Sequence, residues 1–198
     1  GVYLMVGALR NLFIGPSLDA LAGMDGEMWT GRFDFTLLRP VDPQFLASLR
    51  YWRPLALIDL GLGLGVLSAG LSQLHQSLTL LHALAFLVTL FAGVTILYAV
   101  LLAFSALILW SPGFLFTWVF DALFQMARYP LGLYPGWLRL VLTWVIPVGL
   151  MTTVPAQALV GQLSAGMLVG SVALAVAFFV GASALFRIGL RRYGSASS

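Results

Sequence analysis

Few side chains in the apolar parts of this chain could do chemistry: the aspartates Asp59 and Asp121, and the histidines His75 and His82. A carboxylate at membrane depth is costly, so each aspartate is a candidate for binding a proton or a substrate. Both lie near the ends of apolar stretches, which favours a snorkelled or arginine-paired role, for example Asp121 with Arg128. The histidines lack a nearby carboxylate or thiolate to complete a metal site, which favours structural roles at the membrane interface.

The glycines Gly61, Gly63 and Gly65 resemble a nucleotide-binding loop only superficially. A P-loop needs a lysine for the phosphates, and the chain has no lysine. Spacing by four instead predicts faces that let membrane helices approach closely: Gly61 with Gly65, Gly166 with Gly170, and Ala177 with Gly181. The chain has no cysteine, which excludes disulfides, thiolate metal sites and cysteine nucleophiles. We also find no nucleophile and base pair and no acidic cluster suited to a divalent metal, so the sequence predicts neither catalytic residues nor a bound cofactor.

The elements that position these residues are membrane helices. Hydrophobic residues make up 61% of the chain and charged residues 9%, with a mean hydropathy of +0.99. The stretches Leu60 to Phe120 and Leu140 to Phe186 lack Asp, Glu, Lys and Arg. Since a membrane helix needs roughly 20 apolar residues, each stretch crosses the bilayer twice. Both ends of each stretch then lie on the same side of the membrane, and nearly all the arginines lie on that side as well. By the positive-inside rule that side is cytoplasmic, and the C-terminus lies there too. The net charge of +3 is explained by this topology and by contacts with anionic lipid headgroups, and it does not indicate nucleic-acid binding.

We therefore predict an all-α polytopic membrane protein with a single transmembrane domain spanning residues 1–198. It has four complete transmembrane helices, an N-terminal partial helix and cytoplasmic amphipathic helices. The predicted parts are the end of a truncated span (1–23), a cytoplasmic region (24–53), a helical hairpin (55–110), an interfacial helix with a Tyr-Pro loop (113–136), a second hairpin (137–187) and a cytoplasmic tail (188–198).

Residues 24–53 are the most polar segment. Trp29, Phe33 and Leu37 recur every four residues, which predicts a short helix with one apolar stripe, ended by Pro40. Asp42 and Pro43 then supply an N-cap and a first helical proline. The second helix is amphipathic, with one face formed by Phe45, Leu46, Leu49 and Trp52 opposite Arg50 and Arg53.

The four spans follow from the uncharged stretches and their breakers. They are predicted at about Leu55–Ser72, from about residue 80 to Trp110, at Trp137–Thr153 with a kink or break at Pro147, and at Ala165–Phe186. Pro155 and Gly161 are expected to bracket a small outer loop between the last two. Between the hairpins, a polar stripe predicts a helix along the interface, formed by Thr117, Asp121, Gln125 and Arg128.

Two blocks of residues resemble the bacterial type-2 ABC transporter permeases. Residues Gly31 to Val41 read GRFDFTLLRPV and are similar to that family's Gly-Glu-Leu-Asp and Leu-Leu-Arg-Pro-Leu segment. The second block repeats the family's tyrosine-proline and proline punctuation in order, at Tyr129-Pro130, Tyr134-Pro135, Pro147 and Pro155. The two blocks extend the resemblance over nearly all 198 residues.

The resemblance implies a six-span subunit of an exporter in the bacterial cytoplasmic membrane, which dimerises with itself or with a sibling permease. ATP and Mg²⁺ would bind to a separate ABC ATPase subunit. Residues 24–53 would contact that ATPase, with the coupling residues being Glu27, Trp29, Gly31, Arg32, Asp34, Leu38, Arg39 and Pro40. One departure is that Arg32 stands where the family has glutamate, and Glu27 could partly replace it.

Two other classes remain open on the residues alone. An ion-coupled secondary transporter would use Asp59 or Asp121 and would follow a proton or sodium gradient without ATP. A membrane scaffold or lipid-modifying enzyme is the third reading. Aromatic residues such as Trp110 and Trp118 would suit a lipophilic cargo, but they suit an interfacial aromatic belt equally well.

Overall fold

The structure is a computed structural model that describes residues 1–22, 26–28, 30–73, 79–109, 122, 124–126, 128–129, 133–142 and 147–193. In these ranges the chain forms helices joined by turns, without a strand. The helices are α1 (Val2–Leu9), a π-helical turn (Arg10–Ile14), α2 (Gly15–Ala22), α3 (Phe33–Leu37), α4 (Pro43–Leu49), α5 (Ala56–Gln73), α6 (Leu80–Ile108), α7 (Gly136–Leu140), α8 (Val148–Leu159) and α9 (Ala165–Arg192).

Three of the described helices are long and apolar enough to cross a bilayer: α5, α6 and α9. The bounds of α5 and α6 agree with two predicted spans to within about two residues. α9 begins at the predicted Ala165 but continues to Arg192, beyond the predicted end at Phe186 and into the predicted tail. The predicted all-α membrane fold is confirmed. Thr79 begins α6 by accepting a hydrogen bond from the His82 N–H, and Ser164 begins α9 by accepting one from the Met167 N–H. The most apolar window of α6 is 56% buried, against 11% in α5 and 17% in α9. Thus α6 is the central helix, packed against α8 and α9, while α5 packs mainly on α1.

Residues 2–22 are helical throughout, which at 1.5 Å per residue is roughly the 30 Å thickness of the hydrocarbon core. The π-helical turn ends at Ile14, two residues before Pro16, which has no N–H to donate to the carbonyl of Leu12. The Arg53 N–H donates to this carbonyl instead, at 2.8 Å. Beside it, the Ser17 hydroxyl donates to the Tyr51 carbonyl and accepts from the Tyr51 N–H, both at 3.0 Å. The carbonyl left free by Pro16 and the Ser17 hydroxyl therefore attach the end of the polar segment to the helical stretch of residues 2–22.

The predicted break in the third span occurs at Pro147, directly before the start of α8. The expectation that Pro155 borders a loop is wrong, because Pro155 lies buried inside α8. Because Pro155 has no N–H, the Met151 carbonyl receives no hydrogen bond from the residue four positions on, where a helix normally provides its donor. This carbonyl faces α6 at Gly93. A Cβ atom on Gly93 would lie 2.9 Å from that oxygen, so the missing side chain permits the close contact. The loop expected here begins only after α8, at Gly161 with φ +67°.

The close helix contact within the chain does not occur at the glycines predicted from the four-residue spacing. Within the chain, Gly63 makes the close contact of α5 with α1, because a Cβ atom there would lie 2.9 Å from Met5 Cγ. Gly61 and Gly65 have no heavy atom within 4 Å of an added Cβ, and the same holds for Gly166, Gly170 and Gly181. A close approach at these glycines would require another chain or a lipid.

In α3, the predicted stripe is only partly correct. The helix begins at Phe33 and so contains only the last two residues of the predicted stripe, while Trp29 lies outside the described residues. Phe33 is fully buried, but Leu37 is 36% exposed, and Thr36 occupies the inner face in its place. The α3 helix has only five residues, so its backbone direction is set by contacts with its neighbours and not by a repeated stripe.

In α4, the predicted N-cap is present, because Asp42 Oδ1 accepts a hydrogen bond from the Phe45 N–H at 3.0 Å. The helix is amphipathic, yet its apolar side is not the side that packs on the protein. Phe45 is 59% exposed, while the buried residues of α4 are Gln44, Ala47 and Ser48. A helix at a membrane interface turns its apolar face to hydrocarbon, which leaves the small and polar face for protein contacts.

Candidate functional site

Residues 30–41, called here the α3 segment, carry most of the predicted coupling residues. Gly31 has φ +70°, a left-handed conformation that favours glycine and turns the chain into α3. On the outer side, Phe35 is 70% exposed, Leu38 80% and Val41 44%. These three residues form what we call the apolar patch. The outer side also carries charge, since Arg32 and Arg39 are exposed.

The inner side of this region is held by a buried carboxylate. Glu27 is only 6% exposed, and its Oε1 accepts hydrogen bonds from Arg50 Nη1 at 2.6 Å and from the Tyr51 hydroxyl at 3.2 Å. Its Oε2 accepts from the Thr36 hydroxyl at 3.3 Å, and Arg50 also donates to Thr36 Oγ1. We call Glu27, Thr36, Arg50 and Tyr51 the Glu27 cluster. A buried charge is tolerated only when it is paired and hydrogen-bonded, so this cluster fixes α3 to the end of α4.

A second contact joins α3 to the C-terminal end of α9. The rings of Phe33 and Tyr193 meet edge to face, with centroids 5.5 Å apart. Burial raises the pKa of the Tyr193 phenol, and the negative charge of the nearby Asp34 raises it further. Asp34 is half-buried, and its effect on Tyr193 places it near the end of α9.

A third set of contacts joins α4 to the two long membrane helices. The Gln44 side-chain amide donates to the Tyr98 hydroxyl of α6 at 3.1 Å and to the Ser183 hydroxyl of α9 at 2.9 Å. The Ser48 and Tyr98 hydroxyls lie 2.7 Å apart, in hydrogen-bond contact. These four residues, the Gln44 cluster, bring α4, α6 and α9 together through polar groups on otherwise apolar helices.

The predicted coupling residues differ in exposure where they are described: four are exposed, Gly31 and Asp34 are half-buried, and Glu27 is buried. Exposed on the outer side are Arg32, Leu38, Arg39 and Pro40, and the Arg32 Nε donates to the Thr30 hydroxyl at 3.1 Å. Glu27 lies inside, where its carboxylate contacts Arg50 rather than solvent. Trp29 lies outside the described residues.

The tyrosine-proline residues have structural surroundings where they are described. The Tyr134 hydroxyl donates to the Met126 carbonyl at 2.9 Å, and Pro135 is the N-cap of α7. Tyr129 is 58% exposed, and Pro130 lies outside the described residues, as does most of the predicted interfacial helix.

The candidate ionisable groups do not form a chemical site in the described part of the chain. Asp59 is exposed and borders a cavity of about 350 Å³ together with Arg10 and Asn11. His82 packs against the turn at Gly161, where a Cβ atom would lie 3.0 Å from its Nε2, which fits a structural histidine. His75 and Asp121 lie outside the described residues. Among the residues that are described, no group of three or more His, Cys, Asp or Glu could hold a metal ion.

Sequence reasoning missed the partners that give this region its rigidity: Arg50, Tyr51, Gln44, Tyr98, Ser183 and Tyr193. Each contacts a residue distant in sequence, such as Ser183 for Gln44, which is 139 positions away, and Phe33 for Tyr193, which is farther still. One local signal was present, because Gln44 and Ser48 are polar and one helical turn apart beside an apolar face.

Comparisons with known proteins agree with this architecture. The family model described as ABC-2 family transporter protein matches residues 1–197. No curated protein and no solved structure matches the chain. Members of the family are membrane subunits of ABC transporters and partner with an ABC ATPase subunit. With its bilayer-length helices and with nearly its whole length matched, this multi-pass membrane protein belongs to the ABC-2 family of transporters.

Proposed function

We propose that this chain is the permease subunit of an ABC exporter in the bacterial cytoplasmic membrane, and that a separate ATPase binds the α3 segment. ATP and Mg²⁺ act on the ATPase, and this chain forms the path across the membrane without a cofactor of its own. The C-terminus lies on the cytoplasmic side with the ATPase. Outward transport is inferred from the resemblance of the α3 segment and the tyrosine-proline residues to exporter permeases.

The observation that carries the docking proposal is the apolar patch. Phe35 and Leu38 are large apolar side chains that are 70% and 80% exposed, and they lie between the exposed charges of Arg32 and Arg39. Charged neighbours favour the aqueous side over hydrocarbon, and a contiguous apolar patch exposed to water marks a protein contact. Apolar residues rimmed by arginine match the usual anatomy of a protein interface.

The buried contacts behind the patch would transmit a push from the ATPase. Motion of α3 reaches α9 through Phe33 and Tyr193, and it reaches α4 through Glu27 and Arg50. From α4 it reaches α6 and α9 through the Gln44 cluster. Packed elements of this kind move as rigid bodies when a ligand biases one of two states. In this proposal Glu27 positions the docking segment, and the ATPase contact is made by the exposed residues.

Replacing both Phe35 and Leu38 by serine tests the docking site. The double variant should insert into the membrane normally but lose most of the co-purifying ATPase, because the interface loses its two most exposed apolar groups. Phe45→Ser is the matched control, since Phe45 is 59% exposed on the apolar face of α4 and should not affect ATPase recovery. Equal ATPase recovery with the wild type and the double variant would refute the docking site.

A second permease copy or a sibling permease completes the transporter in this proposal. Support comes from α5, which buries only 11% of its apolar window within the chain and presents Gly61 and Gly65 with open space above them. Small residues spaced by four permit close helix contact in membranes. The chain has no cysteine, so Gly65→Cys provides a clean disulfide reporter. It should cross-link two copies in the membrane, whereas Leu87→Cys on α6 should not; the reverse pattern would exclude this face.

A further inference from the structure

An open cavity of about 990 Å³ lies between α4, α6 and α9. The Gln44 cluster lines its inner wall, with Gln44 9% and Ser48 7% exposed. Their hydrogen bonds to Tyr98 and Ser183 hold donors and acceptors at fixed places within an otherwise apolar region. A cavity of this size with a few fixed polar groups has the usual character of a small-ligand site.

The cavity is positively charged at the α9 end. Arg187 and Arg191 border it one turn apart, together with Asp42. Asp42 Oδ2 lies 3.9 Å from Arg187 Nη2, and the two side chains are 53% and 68% exposed, so water screens this pair. Two arginines against one aspartate leave a net charge of +1 at the opening. Arginine is well suited to bind phosphate, because its planar guanidinium donates two parallel hydrogen bonds.

A second, apolar cavity adjoins the first between α6 and α9. This second space has a volume of about 610 Å³, and Phe91 and Phe179 line both cavities. Away from the arginines its walls are aliphatic, with Val88 on α6 and Val176 on α9. The combined groove is cationic at one end, polar beside it and apolar along the helices. This order matches a molecule with an anionic head and an acyl chain.

We propose that this groove binds an anionic phospholipid from the membrane leaflet on the arginine side. The headgroup phosphate contacts Arg187 and Arg191 beside the polar wall at Gln44, and one acyl chain lies along Phe91 and Phe179. Charge complementarity favours a phospholipid over a second copy of the chain, because a copy would bring the same arginines toward each other. The bound lipid would touch α4, α6 and α9 together, and this proposal does not depend on the ATPase contact.

The experiment compares lipid retention by the purified full-length chain in native mass spectrometry. Dioleoyl phosphatidylglycerol is the anionic probe, and dioleoyl phosphatidylcholine is the zwitterionic one. The wild type should retain phosphatidylglycerol at least tenfold better. A charge near an anionic lipid surface contributes about fivefold in affinity, so the double variant Arg187→Gln/Arg191→Gln should lose about 25-fold. Arg192→Gln removes the neighbouring charge outside the cavity lining and should change retention less than twofold.

The acyl part is tested on α9 itself. Val176→Trp fills the apolar groove and should weaken retention of both lipids, while Val169→Trp, two turns earlier at a 64% exposed position, should not. Val176→Phe gives a second variant if the tryptophan disturbs folding. Soluble glycerol phosphate should not displace the lipid. The proposal would be overturned if the wild type retained both lipids equally or if the double arginine variant retained phosphatidylglycerol as well as the wild type. It would also be overturned if glycerol phosphate displaced the lipid, or if Val176→Cys formed disulfides between two copies of the chain.

Discussion

Replacing Glu27 by glutamine should loosen the junction between α3 and α4 without unfolding the membrane helices. The glutamine keeps the shape of the side chain and can still accept from Arg50 and Tyr51, but it removes the charge that strengthens these bonds. Hydrogen bonds to charged groups contribute about 1.5–3 kcal/mol and neutral ones about 0.5–1.5 kcal/mol. With the shortest bond at 2.6 Å to Arg50, the junction should lose about 2 kcal/mol.

A single cysteine at Ala47 can report this loss, because the chain has no native cysteine and Ala47 is 6% exposed beside the cluster. When reclosing is faster than labelling, the rate of maleimide reaction follows the population of the locally open state. A loss of about 2 kcal/mol therefore predicts about 30-fold faster labelling of Ala47→Cys in the Glu27→Gln background.

The partner variant sharpens the test. Arg50→Gln leaves the buried Glu27 carboxylate without its cation, which costs more than removing the carboxylate charge. Labelling of Ala47→Cys should therefore be faster still in the Arg50→Gln background. When Glu27→Gln and Arg50→Gln are combined, the loss of free energy should be smaller than the sum of the two single losses. Arg39→Gln, which changes an exposed arginine outside the cluster, should alter the rate less than twofold. If Glu27→Gln labelled at the wild-type rate, the view of Glu27 as the buried anchor of α3 would be refuted.

The other contacts give further predictions. Gly63→Ala should cost about 2 kcal/mol through overpacking against α1. Gly170→Ala, in open space on α9, should be neutral or gain up to about 1 kcal/mol. Equal midpoints in thermal unfolding of the two variants would contradict this prediction. Gln44→Leu should lower the midpoint by about 2–4 °C through the loss of about 1 kcal/mol of hydrogen bonding, and an unchanged midpoint would count against the cluster. Burial first and the Asp34 charge second raise the pKa of Tyr193, so the folded protein binds the phenol proton more tightly than the unfolded chain does. This contribution to the stability of the folded state is complete below pH 10 and is lost as the pH rises above it. A tyrosinate absorbance titration should show this late component, and it should be missing in Tyr193→Phe.

The membrane helices could be predicted from sequence because their signals are local. Uncharged length sets a span, and the caps at Thr79 and Ser164 are short-range features. The proline rule was right at Pro147 and wrong at Pro155, because burial against α6 holds the helix together across the missing hydrogen bond. Periodicity could not tell which face of α4 packs, since in a membrane the apolar face can turn to lipid.

The candidate site was predictable as a segment but not as a set of contacts. The resemblance pointed to residues 24–53, and the exposed Arg32, Leu38 and Arg39 fit a contact role. It also included Glu27, whose partners Arg50 and Tyr51 lie 23 and 24 positions away and only meet it through folding. No pattern in one sequence gives such pairings, and the same holds for Gln44 with Ser183.

The most direct test of the central claim is affinity purification of this chain from its native membrane in mild detergent, followed by assay of ATP hydrolysis. We expect an ABC ATPase subunit in stoichiometric amount and vanadate-sensitive hydrolysis that is lost with the Phe35→Ser/Leu38→Ser variant. A chain that emerges alone and without hydrolysis, even after cross-linking in the membrane, would contradict the account of an ATP-driven permease.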